Sequence, residues 1–330
     1  MPSTPAVGLI GAGRWGKNLA RNFYELGALH TLCDTHESHL LAHREKFPKA
    51  ALTKDYQEIL QNRSIGQVVI AAPALKHFFL AMESLQAGKD VYVEKPIALS
   101  SGEAEALASL AEEKGLVLMV GHLLHYHPCF RKLQEMIRQE ALGKLCYITS
   151  NRLDLGPIRT EENALWNFAP HDFSMILSLA GNQMPETVQC TGGAFVNQDI
   201  ADTALTSLRF ASGLRAHTFV SWYHPYKEQR LVVAGQKGML VFDDTLAWEE
   251  KLKWTQNPAD PEKAKSCFVQ VEKKEPLKEE CLHFLECCKK RSTPRTDGWE
   301  GVRVTRLLEM ADKSLQEGGI CLSCNDMQMV

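Results

Sequence analysis

Three glycines near the N-terminus have the spacing of a phosphate-binding turn. The segment Gly11-Ala12-Gly13-Arg14-Trp15-Gly16 follows an apolar run, 6–10, and precedes a segment with helical spacing of apolar residues, 18–26. Glycines let the backbone approach a pyrophosphate, whose charge is stabilised by the free amides at the start of a helix. The pattern predicts a strand, turn and helix that bind a dinucleotide. The predicted cofactor contacts in this turn are Gly11, Gly13, Arg14, Trp15 and Gly16.

Asp34 is the residue predicted to determine whether NAD or NADP binds. It ends the next apolar segment, 29–33, and lies about 20 residues after the glycines, where such a fold has an acidic residue. A carboxylate there accepts hydrogen bonds from the ribose hydroxyls and repels a 2′-phosphate, so it favours NAD over NADP. His36 and Arg44 lie close enough in sequence to leave this preference open.

Strands and helices then alternate over the first third of the chain. Strands are predicted at 67–71, 90–93 and 117–120, with helical patterns between them. This alternation predicts a doubly wound parallel sheet, in which ligands bind at the carboxyl ends of the strands. The residues after those ends are candidate ligand contacts: Ala72-Pro73, Glu94-Lys95-Pro96 and Gly121-His122.

From Lys144 onward the pattern changes to short strands. The segment 211–213 joins two of them as a hairpin, which a pair of parallel strands cannot have. The predicted fold class is α/β, with an N-terminal Rossmann domain (1–124) containing a doubly wound parallel sheet. A C-terminal α+β domain (125–330) with a largely antiparallel open sheet follows, for substrate binding and oligomerisation. Two amphipathic helices, 276–290 and 298–316, are structural candidates to pack back against the first domain.

Composition argues against several classes of function. A net charge of -3 with 23% charged residues provides no basic field for a nucleic acid. No apolar run approaches the roughly 20 residues of a membrane span, and the first residues lack the pattern of a signal peptide. We therefore expect a soluble, cytoplasmic protein without nucleic-acid or membrane partners. Its ten cysteines are expected to be reduced thiols.

Two clusters of metal-binding residue types raise the question of a metal. Three histidines lie in Gly121-His122-Leu123-Leu124-His125-Tyr126-His127, and Cys321 and Cys324 form a pair. Neither cluster has further ligands at the spacing of a zinc site. No metal is predicted, and the histidine segment is instead expected to line the substrate site, with His125 or Tyr126 close to substrate.

Several of these segments resemble the Gfo/Idh/MocA oxidoreductases, which act mainly on sugars and cyclitols. The resemblance is carried by GAGRWGKN, AAPALKH and, most specifically, the EKP of AGKDVYVEKPIALS. It implies that Lys95 lies beside the nicotinamide and the reacting hydroxyl, where a cation stabilises a developing alkoxide. It also implies a homodimer or homotetramer formed through the open sheet. NAD is the implied cofactor, and its remaining implied contacts are Ala72, Pro73, His77, Glu94 and Lys95.

Three longer segments are similar to a subgroup of that family. They are GHLLHYHP, NRLDLGPIRTEENALWNFAPHDFSMIL and SWYHPYKEQRLVVAGQKGMLVFDD, and the subgroup is the UDP-N-acetyl-2-amino-2-deoxyglucuronate 3-dehydrogenases of bacterial O-antigen (lipopolysaccharide) sugar biosynthesis. The implied substrate is UDP-N-acetylglucosaminuronic acid, whose negative charges call for basic residues. The candidate substrate contacts are His125, Tyr126, Arg152, Arg159, Asn163, Trp166, Asn167, Lys227 and Arg230.

The resemblance implies His171 as the catalytic base. Many relatives have an Asp four residues earlier, where this chain has Asn167, so a carboxylate that tunes the imidazole is absent at that position. In the implied reaction His171 takes the proton of the sugar C3 hydroxyl while a hydride leaves C3 for the nicotinamide. The product is a 3-keto nucleotide sugar.

Two alternatives stay open. A dehydrogenase of a free sugar or inositol would use the same Lys95 and His171 without needing arginines that bind the substrate's anionic groups. A non-catalytic, NAD-sensing regulator would keep the fold and lose turnover, and the departure at Asn167 keeps this alternative open.

Overall fold

The protein is described by a computed structural model that covers residues 5–260 and 262–324. Its contacts divide the chain into two compact units. The first unit contains the chain up to Tyr126 and the segment Glu275–Thr305, and the second contains His127–Lys274 and the chain from Arg306 onward. The chain therefore leaves the first unit, returns to it for about 30 residues and leaves it again.

The first unit is built on a parallel sheet. Its strands are β1 (Val7–Ile10), β2 (Leu29–Cys33), β3 (Ala51–Thr53), β4 (Gln67–Ile70), β5 (Asp90–Glu94) and β6 (Leu118–Gly121). The helices that connect them are α1 (Gly16–Glu25), α2 (Glu37–Arg44), α3 (Gln57–Gln61), α4 (His77–Gln86) and α5 (Ser101–Glu113). The strand order is β3-β2-β1-β4-β5-β6, and every neighbouring pair is parallel. The predicted doubly wound Rossmann sheet is confirmed, and its order reverses between β1 and β4, where such sheets bind ligands.

The second unit is built on a larger sheet. Its strands are β7 (Leu145–Leu155), β8 (Thr187–Gly193), β9 (Thr203–Arg209), β10 (Arg215–Ser221), β11 (Tyr223–Gly235), β12 (Gly238–Asp243), β13 (Leu252–Gln256), β14 (Lys265–Phe268) and β15 (Leu322–Ser323). They follow the order β14-β13-β12-β11-β7-β10-β9-β8-β15, and all neighbours except β7 and β10 are antiparallel. The predicted largely antiparallel sheet is confirmed, and its hairpin at 211–213 joins β9 to β10.

Four further helices complete the described chain. They are α6 (Pro128–Arg138), α7 (Ala164–Leu179), α8 (Pro276–Lys290) and α9 (Gly298–Gln316). Helix α8 belongs to the first unit, where it packs against α1. The ring of Phe284 lies edge-on to Phe23 at 6.4 Å and to Tyr92 at 5.8 Å, and all three side chains are fully buried. A segment 150 residues beyond the parallel sheet thus completes its core.

The helices of residues 5–260 and 262–324 include no candidate for a membrane span. None of them combines the length and the hydropathy that crossing a bilayer requires.

Replacing Phe284 with Ala should destabilise the first unit. The change removes a fully buried ring between α8, α1 and β5, so we expect the free energy of unfolding to fall by about 3–5 kcal/mol. Urea denaturation followed by circular dichroism measures it. Phe79, which is 64% exposed on α4, is the matched control, and Phe79→Ala should change the value by less than about 0.5 kcal/mol. Equal effects of the two variants would contradict the packing of α8 in this core.

Candidate active site

The turn between β1 and α1 needs glycine at two positions for steric reasons. Gly11 has a φ of +102°, and a Cβ added to it would lie 2.6 Å from the backbone of Ala71. A Cβ on Gly16 would lie 1.8 Å from the carbonyl oxygen of Gly11. Around Gly13, by contrast, none of the described residues comes within 4 Å of an added Cβ, apart from its own chain neighbours. The backbone at Gly13 therefore borders open space, as the approach of a pyrophosphate requires.

Asp34 is bonded to this turn. Its Oδ2 accepts a hydrogen bond from the amide of Ala12 at 2.7 Å, and its Oδ1 accepts one from the amide of His36 at 2.8 Å. Burial raises the pKa of Asp34, but these bonds and the nearby His39 outweigh burial, so the pKa is lowered overall. The carboxylate is charged at neutral pH, as binding of ribose hydroxyls requires.

Two histidines at the start of α2 surround the same carboxylate. Nδ1 of His36 lies 3.3 Å from Oδ1 of Asp34, and Nδ1 of His39 lies 3.1 Å from Oδ2. The three side chains offer ligand atoms within 4.8 Å of one another, a spacing that a metal ion could use. A metal there would compete with a ribose for Asp34. The absence of a metal stays a prediction.

The segments that follow β4 and β5 are joined by His77. Its ring is 1% exposed, with Nδ1 2.7 Å from the carbonyl oxygen of Pro96 and Nε2 2.8 Å from that of Ala72. Burial lowers the pKa of His77, so the ring is neutral and donates to one of the two carbonyls. Both ring nitrogens of His77 face these carbonyls, and its predicted contact with the cofactor stays a prediction. Ala72 itself is half-buried, whereas Pro73 and, in the glycine turn, Arg14 are exposed.

Glu94 ends β5 with its carboxyl group enclosed. Its Oε1 accepts hydrogen bonds from the indole Nε1 of Trp15 at 2.6 Å and from the hydroxyl of Tyr92 at 3.0 Å. Burial raises the pKa of Glu94, and the two donors and the adjacent Lys95 oppose this effect. Lys95 is half-buried, and the Lys95–Pro96 peptide bond is cis. The proposed catalytic lysine thus follows a residue that is tied to the glycine turn.

His171 lies in the second unit, half-buried on α7. It follows Pro170, which has no amide proton and cannot donate to the carbonyl oxygen of Trp166 in the preceding turn. Asn167, also half-buried, is four residues before His171 and therefore on the same side of the helix. The two predicted site residues are therefore neighbours on the surface of α7, one helical turn apart.

Asp172, the acidic residue next to His171 in the chain, is paired with Arg152. Asp172 is fully buried, and its carboxyl accepts hydrogen bonds from Nε of Arg152 at 3.0 Å and from Oγ of Ser150 at 2.6 Å. A second bond, from a terminal nitrogen of Arg152 at 3.2 Å, makes the pair bidentate. The charge of Arg152 is thus compensated by a buried carboxylate, and its predicted substrate contact stays a prediction.

Three more predicted substrate contacts are buried or bonded within their own unit, and their contacts with substrate stay predictions. Tyr126 is fully buried in the first unit, with its hydroxyl 3.0 Å from Oγ1 of Thr296. His125 beside it is 4% exposed. Asn163 caps α7 by accepting the amide of Trp166 at 3.0 Å, and its Nδ2 donates to Asp312 at 2.7 Å.

The remaining basic candidates differ in how their charges are compensated. Arg230 lies 2.9 Å from Asp243 and 3.3 Å from Glu228. Arg159 and Lys227 are exposed in the second unit, and Trp166 is half-buried on the first turn of α7. Arg159 and Lys227 are therefore the better candidates for binding an anionic substrate.

Sequence reasoning missed a buried pair at the end of β6. Nδ1 of His122 lies 2.6 Å from Oε2 of Glu300, and the two side chains are 2% and 5% exposed. His122 carries a signal in sequence, because it directly follows a strand end of the parallel sheet. Glu300 carries none, because it lies 178 positions further along the chain.

The fold and the dinucleotide-binding turn define an NAD-binding oxidoreductase. Residues 6–122 match a family model described as an oxidoreductase family with an NAD-binding Rossmann fold, and residues 130–241 match the GFO/IDH/MocA C-terminal domain. The chain belongs to the Gfo/Idh/MocA family of oxidoreductases. The predictions of the family, of an enzyme and of NAD as cofactor are confirmed.

Relatives in this family differ in the substrates they are named for. The chain is similar to myo-inositol 2-dehydrogenase from Thermotoga maritima, with 26% identity over 94% of this chain and 96% of the relative. It is 32% identical to UDP-N-acetylglucosamine 3-dehydrogenase from Acidithiobacillus ferrooxidans over 48% of this chain and 49% of the relative. A solved structure of that dehydrogenase, GnnA, has a TM-score of 0.83 at 23% identity, covering 94% of this chain and 98% of its own. Levoglucosan dehydrogenase, in complex with NADH and levoglucosan, has a TM-score of 0.86 at 18% identity, covering 97% and 99% of the two chains.

Two glycine variants should separate cofactor binding from folding. Gly13→Ala should weaken NAD binding by at least about tenfold while leaving the melting temperature unchanged, because its methyl group fills only the open space at the turn. Gly16→Ala should lower the melting temperature, because its methyl group meets the backbone of Gly11. Isothermal titration calorimetry and thermal denaturation measure the two effects. Unchanged NAD affinity in Gly13→Ala would place the cofactor elsewhere.

The buried ring of His77 should make stability depend on pH. Its pKa is lowered in the folded protein, so the unfolded chain binds more protons below about pH 6.5, the ordinary value for histidine. The free energy of unfolding should therefore fall as the pH decreases through about 6.5, and His77→Gln should reduce that dependence. Urea denaturation at pH 5.5 and 7.5 tests this, with exposed His217→Gln as the control. The same pH dependence in all three proteins would contradict a neutral His77.

Proposed function

We propose that this protein is an NAD-dependent dehydrogenase that oxidises the C3 hydroxyl of a nucleotide sugar, with UDP-N-acetylglucosaminuronic acid as the first candidate, to the 3-keto sugar. The observation that carries the proposal is the position of Lys95 at the carboxyl end of β5, directly after a carboxylate bonded to the glycine turn. Ligands of doubly wound sheets bind at these strand ends. The resemblance of three long segments to nucleotide-sugar 3-dehydrogenases supports the substrate class, as does the similarity to UDP-N-acetylglucosamine 3-dehydrogenase.

Each proposed catalytic residue has one task in this reaction. His171 takes the proton from the C3 hydroxyl, and the charge of Lys95 stabilises the alkoxide that develops on the same oxygen. Asn167, one helical turn before His171, orients the sugar through hydrogen bonds. NAD, held by the glycine turn and Asp34, supplies the acceptor for the hydride that leaves C3.

Charge in the second unit supports an anionic substrate. Arg159 and Lys227 are exposed, and both lie in segments that resemble the nucleotide-sugar subgroup. A sugar nucleotide with a carboxylate carries negative charge at the diphosphate and at the sugar, so two cations suit it better than they suit a neutral sugar. Trp166, half-buried near the start of α7, offers an apolar surface for a ring.

A homodimer or homotetramer accompanies this proposal. Tyr147, Phe219 and Leu205 lie on one face of the nine-stranded sheet. Phe219 pairs with Leu205, and Tyr147 pairs with Arg215, which precedes Phe219 by an even number of residues on β10. Tyr147 is 38% exposed and Leu205 is 46% exposed. Exposed apolar residues on one sheet face favour burial against another subunit. The proposed biological setting is O-antigen sugar biosynthesis in the bacterial cytoplasm.

One other dehydrogenase function has a specific observation in its favour. The similarity to myo-inositol 2-dehydrogenase extends over 94% of this chain, and acidic side chains already compensate two of the four basic candidates, Arg152 and Arg230. A free-sugar or inositol substrate would need no further cation in the site.

A substrate panel separates these functions. The purified protein is mixed with NAD and, in parallel, with UDP-N-acetylglucosaminuronic acid, UDP-N-acetylglucosamine, myo-inositol or glucose, and formation of NADH is followed by absorbance. A 2-oxo acid is added in a second series to allow recycling of a tightly bound cofactor. We expect a signal with the nucleotide sugars, strongest with the uronic acid. NADH formation with inositol or glucose alone would show that the substrate is a free sugar or cyclitol instead of a nucleotide sugar. No NADH formation with any of the four, despite NAD binding, would favour an NAD-sensing regulator.

Two variants test the proposed roles. Lys95→Ala should reduce kcat by about a hundredfold or more with unchanged NAD affinity, because it removes stabilisation of the transition state. Arg159→Ala should raise KM for the nucleotide sugar about tenfold with kcat nearly unchanged. Exposed Arg131 on α6 provides the control, and Arg131→Ala should leave both constants unchanged. A fully active Lys95→Ala variant would overturn the catalytic assignment.

A further inference from the structure

Three neighbouring parts of the first unit meet at the carboxylate of Glu94. Trp15 in the glycine turn donates to Oε1 at 2.6 Å, and Tyr92 on β5 donates to the same oxygen at 3.0 Å. On β6, a Cβ added to Gly121 would lie 2.9 Å from Oε2 of Glu94 and 2.9 Å from the hydroxyl of Tyr92. The carboxylate therefore fills a confined space between the glycine turn, β5 and β6.

A second buried carboxyl group, that of Glu280, interacts with Glu94. Glu280 on α8 is fully buried, and within the described part of the chain neither of its oxygens has a hydrogen-bond partner. Burial and the negative charge of Glu94 raise the pKa of Glu280 well above its ordinary value. Burial raises the pKa of Glu94 as well, but two donors and Lys95 as its chain neighbour favour its charged form, so Glu94 is the member of the pair that ionises first.

The donor from the glycine turn is partly exposed. Trp15 is 40% exposed although its Nε1 reaches a carboxylate that is only 9% exposed. It stands between Gly13, which borders open space, and Gly16, which touches Gly11. One short hydrogen bond therefore joins the glycine turn directly to Glu94, and Lys95 is the next residue in the chain.

We propose that Trp15 is a positioning residue that couples occupancy of the glycine turn to the orientation of Lys95 through the buried carboxylate of Glu94. The effect on turnover rests on the dehydrogenase function proposed above. The hydrogen bond from Trp15 keeps Glu94 ionised and fixed, and Glu94 in turn fixes the backbone from which Lys95 extends. Trp15 touches no reacting atom in this scheme.

Trp15→Phe tests this proposal, because it removes the N–H donor and keeps an aromatic ring. A matched control exists in the same unit: Trp299 is 39% exposed, and its Nε1 donates to Glu112 at 3.2 Å. Trp15→Phe should lower kcat about ten- to a hundredfold with KM for the sugar within about twofold. Trp299→Phe should leave both constants unchanged.

The pH dependence distinguishes positioning from a general loss of structure. Without the Trp15 donor Glu94 holds its proton to higher pH, so the acidic limb of the kcat profile should move to higher pH in Trp15→Phe and stay in place in Trp299→Phe. The titratable groups that face Glu94 are Tyr92 on β5, Lys95 beside it, and Glu280 and Cys281 on α8. Tyr92→Phe, which removes the second donor to the same oxygen, should move the limb in the same direction.

Infrared spectroscopy provides a readout that needs no substrate. The absorption band of protonated buried carboxyl groups is titrated in the protein without substrate, where its midpoint should rise in Trp15→Phe and stay unchanged in Trp299→Phe. If no substrate is turned over, the proposed function fails, and the midpoint still decides whether Trp15 controls Glu94. An unchanged midpoint overturns the link between the two residues. A loss of NAD affinity with unchanged kcat and an unmoved acidic limb overturns the coupling to Lys95.

Discussion

The contact between the backbone of Gly11 and that of Ala71 is the constraint on which the first unit depends. It brings the turn after β1 against the end of β4 so closely that no side-chain carbon fits between them. Because the sheet order reverses at these two strands, the same contact fixes the start of α1 at the reversal point. Asp34, Trp15 and His77 then act locally: each connects this turn or its neighbouring strand ends by hydrogen bonds of a single side chain. The result is a set of loops that hold one another in place before any ligand is bound.

In the second unit, the pairing of charges decides which side chains remain for a substrate. Asp172 and Arg152 satisfy each other inside the protein, and Asp243 holds Arg230 at the edge of β12. Asp172 and Arg152 form a buried pair, and removing either partner would leave the other charge unpaired in surroundings of low dielectric constant, which strongly destabilises the fold. The side chain of Arg230 is 46% exposed, so its pair with Asp243 contributes less. The buried pair connects α7 to β7. Arg159 and Lys227, outside these pairs, are exposed.

Local pattern was enough to predict the glycine turn, the alternating strands and helices, and the hairpin at 211–213, because neighbouring residues determine these features. The sequence could not show which candidate side chains are already occupied. Tyr126 reaches Thr296 and Arg152 reaches Asp172 only after distant segments come together, and spacing along the chain carries no sign of either contact. Likewise Glu300 and Glu280 come from helices far beyond the parallel sheet. The short strands β13, β14 and β15 were not predicted, since the β14 segment Lys265–Phe268 is exposed throughout and β15 has only two residues.

The return of α8 to the first unit has a consequence for how the chain is made. During synthesis the parallel sheet emerges from the ribosome while the residues that cover Phe23 and Tyr92 are still untranslated, because Phe284 comes about 160 positions after the end of β6. For that interval, roughly ten seconds or more at common elongation rates, the nascent sheet presents an uncovered apolar surface. Most of the second unit, His127–Lys274, is translated in the meantime, whereas its last segment, from Arg306, follows the residues that complete the first unit. Neither unit can therefore be completed in the order of the sequence: the first waits for α8, and the second waits for the residues after Thr305.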